Sequence, residues 1–83
     1  MELQIVTRSG EVFKGAVEAV TVTAADGELG ILPGHTPLLA ALVPGMVKFS
    51  SAAGDEKTLR TSAGFVTVDS DTVTVVIESL EEN

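Results

Sequence analysis

The feature that most constrains this chain is its punctuation: short β-branched and apolar runs recur roughly every 8–12 residues, each closed by a turn signal, with no long amphipathic helix between them. Leu3–Thr7 alternates, and Arg8-Ser9-Gly10-Glu11 returns the chain into Val12-Phe13-Lys14, which predicts a β-hairpin. In Ala16–Thr23, Val20 and Val22 share one face and Thr21 and Thr23 the other, while the alternation breaks near Glu18 and predicts a bulge or a change of face. Asp26-Gly27 is expected to supply the positive φ of a tight hairpin turn. Leu38–Val43, bounded by Pro44-Gly45, fits one helical turn or a buried strand; its length does not decide, and a short strand is the preferred reading. Met46–Ser50, with Val47 and Phe49 inward, is predicted to pair with Lys57–Thr61 across Ala52–Asp55. Ala63–Val68 and Thr72–Ile77 are predicted to pair across Asp69-Ser70-Asp71, with Val66, Val68, Val73, Val75 and Ile77 facing together. The tail Glu78–Asn83 reads as too short and acidic for another element. The pattern predicts one all-β domain over residues 1–83, a sandwich or barrel.

A chain of 83 residues hides only about 60% of its unfolded surface, so the make-up of its core matters. Its apolar residues are mostly Val, Ala and Leu, with three Phe and no Trp or Tyr, which predicts a core of many modest side chains. The absence of cysteine rules out disulfides and thiolate metal sites and fits a reducing compartment. Twelve acids against five bases give a net charge of −7, which repels nucleic acid and anionic bilayers and suits a basic partner surface. The same acidity also serves simply to keep a small domain in solution. Met1-Glu2-Leu3-Gln4 has neither the basic nor the apolar region of a leader, and no run approaches the ~20 apolar residues of a membrane span, so a soluble protein is expected.

The densest stretch is Gly27–Leu39, where three glycines, two prolines, Glu28 and the only histidine surround a thread of Leu and Ile. That many Gly and Pro exclude a regular strand, and the apolar weight exceeds that of a bare loop, which predicts a constrained, partly packed turn system. Gly27, Pro33, Gly34 and Pro37 are expected to set its backbone turns, as is Gly30, whereas Leu29, Ile31, Leu32, Leu38 and Leu39 either plug one end of the core or offer contact surface. His35 lacks the neighbouring nucleophile and orienting acid of a catalytic triad and reads as an interface or hydrogen-bonding residue. Asp69 and Asp71 lack the glycine and distal Glu of a calcium loop and read as turn residues, so no metal site is expected. Asp26-Gly27-Glu28 lacks the Lys and Ser/Thr of a phosphate cradle, and no cofactor follows from it. Lys48, Lys57 and Arg60 have no interleaved aromatics, which argues against nucleic acid.

The segment GELGILPGHTPLLAALVPG resembles the signature of the epsilon subunit family of F-type ATP synthases, called delta in mitochondria. Val12–Val17 resembles that family's early strand pair, and Ser62–Val68 its later glycine-plus-apolar strand. The resemblance covers essentially the whole chain but only the family's N-terminal domain. It implies a flattened β-sandwich of two sheets with about ten short strands, the C-terminal helical hairpin being absent. It implies a non-catalytic rotor role in the central stalk, linking the gamma subunit to the membrane c-ring and coupling proton- or sodium-driven rotation to ATP synthesis. Glu28, with Leu29, Gly30 and Ile31, matches the family's c-ring contact, and Thr7 and His35 match gamma-facing positions that should lie near one another. The implied location is the cytoplasmic face of a bacterial cell membrane, peripheral and held there through the complex.

Two departures qualify the match. Ala63 replaces the first residue of the family's usual Gly-Gly pair, so that either no positive φ is needed there or the local geometry differs. The chain also stops where the helical hairpin would begin, so inhibition of ATP hydrolysis and nucleotide sensing, which belong to that hairpin, are not expected of it. The alternative reading is a free-standing β-sandwich module binding a small ligand at its Gly/Pro-rich end, with an enzyme a distant third.

Overall fold

The structure, a computed structural model, describes residues 1–81. Nine strands and no helix are found among them: β1 (Glu2–Thr7), β2 (Gly10–Ala16), β3 (Ala19–Ala24), β4 (Gly27–Ile31), β5 (Leu38–Leu42), β6 (Gly45–Ser50), β7 (Glu56–Thr61), β8 (Gly64–Asp69) and β9 (Thr72–Ile77). Leu38–Leu42 is thus a strand and not a helical turn, and the Gly27–Leu39 stretch is not a turn system throughout: Gly27–Ile31 is a regular strand paired with β3, its glycines tolerated on an exposed edge, and only residues 32–37 are loop. Nine accords with the expected count of about ten, and residues 78–81 add no further strand, as expected of the tail; Leu80 forms an isolated bridge with Thr61, and the Glu81 amide donates to the Arg60 carbonyl at 2.8 Å. Glu82 and Asn83 lie outside the described residues.

The strands form two layers. One is β2-β1-β9-β8-β5, in which β1 and β9 run parallel and the other neighbours antiparallel; the other is β4-β3-β6-β7, antiparallel throughout. They meet at one corner, where β3 leaves β6 after Thr21 and its last residue, Ala24, pairs with Leu42 of β5. The break foreseen near Glu18 is where the chain changes layer. The Val17 amide donates to the Met1 carbonyl at 2.9 Å, and the next amide, that of Glu18, donates to Ser50 at 2.8 Å on the opposite sheet.

Alternation aims one face of each layer inward. Leu3, Ile5, Val66, Val68, Val73, Val75 and Ile77 from the first meet Val20, Val22, Ile31, Val47 and Phe49 from the second, all of them buried. Each fully buried Val or Ile contributes on the order of 1.5–3 kcal/mol relative to exposure, so many small side chains accomplish what few aromatics do in larger cores. Phe13 closes the side between β2 and β6 against Phe49, ring centroids 4.5 Å apart.

Turn chemistry fixes the register. The loops Arg8-Ser9 and Ala25-Asp26 are each followed by a glycine at positive φ, Gly10 at 126° and Gly27 at 127°. The Asp26-Gly27 pair thus supplies a positive φ at this turn as expected, and it is the glycine that takes it. The β8–β9 turn is built without glycine, on Ser70 (φ 49°) and Asp71 (φ 62°), the type I′ arrangement that matches strand twist. Ala63 has no positive φ, and the glycine beside it is required for space: a Cβ on Gly64 would overlap the Val76 carbonyl oxygen and lie 2.8 Å from the Ile77 Cα.

Candidate docking site

The registers sort the connections to two ends of the sandwich. One end carries the turns Arg8-Ser9, Ala25-Asp26, Val43-Pro44 and Ser62-Ala63; the other carries the Leu32–Pro37 loop, Val17-Glu18, Ser51–Asp55 and Ser70-Asp71. At the first end β4 is an edge strand, paired only with β3. Its pleat decides which motif residues have surface. Glu28, opposite Thr23, and Gly30, opposite Thr21, are exposed; Leu29 is half-buried against the core, and Ile31 is wholly buried. Ile31 therefore has no surface to offer a partner, because period-two alternation over a one-sided core puts it beneath the strand. The Thr23 hydroxyl locks the β3–β4 hairpin to β6, donating to the Met46 carbonyl at 3.1 Å and accepting from the Met46 amide at 3.2 Å.

At the other end, Leu32-Pro33-Gly34-His35 is a type II turn: Gly34 has φ 84° and the His35 amide donates to the Leu32 carbonyl at 3.1 Å. Pro33 presets the second turn residue and Gly34 takes the positive φ of the third, while Pro37 is exposed just before β5. His35 is half-buried, and its Nδ1–H donates to the Thr36 carbonyl at 2.7 Å, which leaves Nε2 as the ring nitrogen not used in that bond. Of the two flanking leucines, Leu32 is 62% exposed and Leu38 packs on the core.

Thr7 and His35 are not brought together, contrary to expectation. The parallel register puts Glu2 beside Thr72, adjoining the Asp71 turn next to Gly34, and Thr7 lies five strand steps further along, about 16 Å away. The Thr7 hydroxyl is engaged in its own turn, donating to the Gly10 carbonyl at 3.3 Å and accepting from the Ser9 amide at 3.1 Å.

One surface escaped the sequence reading. Across the outer face of the larger sheet, Ala41, Phe65, Val76 and Val6 stand directly opposite one another in a row, and Leu39, 71% exposed, borders a shallow apolar depression with Ala40, Ala41 and Phe65. The signal was present in adjacent apolar pairs: Leu38-Leu39, Phe65-Val66 and Val75-Val76 cannot place both members on one face of a strand.

Among the described residues no three His, Asp or Glu side chains gather to hold a metal ion, and no helix is long and apolar enough to cross a membrane. Glu28, His35 and the apolar row lie on separate surfaces, and the class that the fold defines is a small all-β sandwich domain. The chain belongs to the β-sandwich domain family of the ATP synthase delta/epsilon chain, whose model matches residues 1–83. A chain of the Euglena gracilis mitochondrial ATP synthase, solved as an OSCP/F1/c-ring assembly in rotational state 1, superposes with a TM-score of 0.89 at 25% identity, covering 95% of this chain and 51% of that one. A chain from the Tetrahymena thermophila mitochondrial ATP synthase central stalk and c-ring superposes at 0.84 with 19% identity, covering 99% and 66%, a likeness that carries the fold alone. This chain thus spans about half to two thirds of the length of the chains it matches.

Proposed function

We propose that this domain is the sandwich of a central-stalk rotor subunit, the epsilon subunit of an F-type ATP synthase, non-catalytic and bridging gamma to the c-ring so that ion-driven rotation is coupled to ATP synthesis. The observation that carries this reading is family membership over the entire length of the chain. In this assignment the hairpin tip meets the polar loops of the ring through Glu28 and Gly30, with half-buried Leu29 behind them, and Ile31 supports the strand from within. An exposed carboxylate facing basic loops sets orientation and register more than affinity. Thr7 and His35 then reach gamma as two separate contacts at opposite ends of β1, which requires gamma to run along the sheet and not to touch one spot. The driving ion is a proton or sodium, and the domain sits at the membrane only through the complex, on the cytoplasmic face of a bacterial cell membrane.

Capture with gamma and c-ring is the test. The domain should co-purify with both, and Glu28→Lys should weaken the ring contact while leaving the gamma contact in place. A domain that binds neither, stays monodisperse and melts later on adding a small metabolite would instead be a ligand-binding module.

A further inference from the structure

We infer that Asp71 is the positioning residue of the Leu32–Pro37 loop, its carboxylate fixing the type II turn that carries His35 to the end of the larger sheet; the value of this for docking rests on the function proposed above. The turn itself does not call for this particular side chain: a type I′ turn needs positive φ at both central residues, and Asp71, at φ 62°, is one of several residue types that tolerate it. What singles it out is its side chain's partner, since Oδ1 of Asp71 accepts from the Gly34 amide at 2.9 Å, across 37 positions of sequence. The other described hydrogen bonds of the loop are its own, from the His35 amide to Leu32 and from the His35 ring to Thr36. Pro33 and Pro37 contribute no N–H, and residues 32–37 join no strand ladder, so the Gly34 amide carries the described hydrogen bond that ties the turn to the sheet.

Asp71 is itself anchored. Its carbonyl accepts from the Glu2 amide at 3.0 Å, and the Met1 ammonium lies 3.7 Å from Oδ2. The carboxylate thereby projects from a fixed hairpin, and the loop inherits its position.

The experiment compares Asp71→Gly, which keeps the backbone and removes the acceptor, with Asp71→Asn, which keeps an oxygen acceptor and tolerates the same φ. Hydrogen exchange of the Gly34 amide, followed by NMR, should quicken about tenfold in Asp71→Gly, return to within about twofold of the parent in Asp71→Asn, and leave the β8 and β9 amides unchanged. Capture of gamma should fall and recover in the same order. Unchanged Gly34 exchange in Asp71→Gly, failure of Asp71→Asn to restore it, or global unfolding of Asp71→Gly would each overturn the inference. So would a freed Gly34 amide with capture at the parent level. If the unaltered chain captures no gamma, the proposed function falls, and Gly34 exchange still decides whether Asp71 holds the loop.

Discussion

Gly64→Ala isolates the tightest point of the sandwich. The glycine faces Ile77 across β8 and β9, and an added Cβ would overlap the Val76 carbonyl oxygen while sitting 2.8 Å from the Ile77 Cα and 2.9 Å from the Val76 carbonyl carbon. Ordinary contact begins at 3.4 Å, so raising 2.8 Å to that value opens a gap of 0.6 Å, and clearing the oxygen requires more. All three obstacles are backbone atoms, which cannot rotate away as a side chain can. Spreading the strands stretches the ladder bonds flanking Gly64, at about 0.5–1.5 kcal/mol each, and loosens Ile77, which is only 3% exposed. Overpacking in well-filled interiors costs about 1–3 kcal/mol, and with ladder bonds involved the upper end applies, about 3 kcal/mol. For a domain of this size that lowers Tm by about 12–24 °C, at 4–8 °C per kcal/mol. With no Trp or Tyr to report on folding, the assay is circular dichroism during thermal and urea unfolding. Ala63→Gly is the control: exposed and free of that contact, it should cost no more than about 1 kcal/mol, from backbone entropy. A Gly64→Ala domain melting within about 2 °C of its parent would refute the close-approach argument.

The motif leucines and isoleucine should separate by burial. Ile31→Ala should cost about 2–5 kcal/mol, whereas Leu39→Ala should change stability by less than about 0.5 kcal/mol and instead weaken capture by gamma or the ring; equal destabilisation would contradict the burial pattern. Glu28→Lys should leave the melting curve within about 0.5 kcal/mol and lower ATP-driven ion pumping in the assembled synthase; unchanged pumping at matched assembly would remove Glu28 from the ring contact. Ser70→Gly relieves a left-handed residue worth about 1–2 kcal/mol at the expense of roughly 0.5–1 kcal/mol of unfolded-chain entropy. The net gain should be about 0.5 kcal/mol, seen as a Tm rise of roughly 2–4 °C; a fall would show that the serine side chain supports the turn.

Local chemistry made much of this domain legible in advance. Alternation in Val20–Thr23, Met46–Ser50 and Thr72–Ile77 states which side chains are inside, because a strand has only two faces and one of them must be apolar. Pro33-Gly34 declares a turn by the φ values each residue favours. Family membership was legible for the same reason, since those turn residues recur at fixed spacing within one stretch. What sequence could not state is which strands become neighbours. The break at Glu18 was visible, but its meaning, a step from one sheet to the other, depends on Met1 and Ser50 being the partners of successive amides. Thr7 and His35 were expected side by side and lie at opposite ends, because the parallel pairing of β1 with β9 is a long-range choice that no local pattern encodes. Asp71 read as a turn residue and also holds Gly34; Ile31 was open between core and contact, matched the family's ring contact, and is core. Period and propensity act over a few residues, whereas strand order and the ends at which loops emerge are settled only when the two faces close over a shared core.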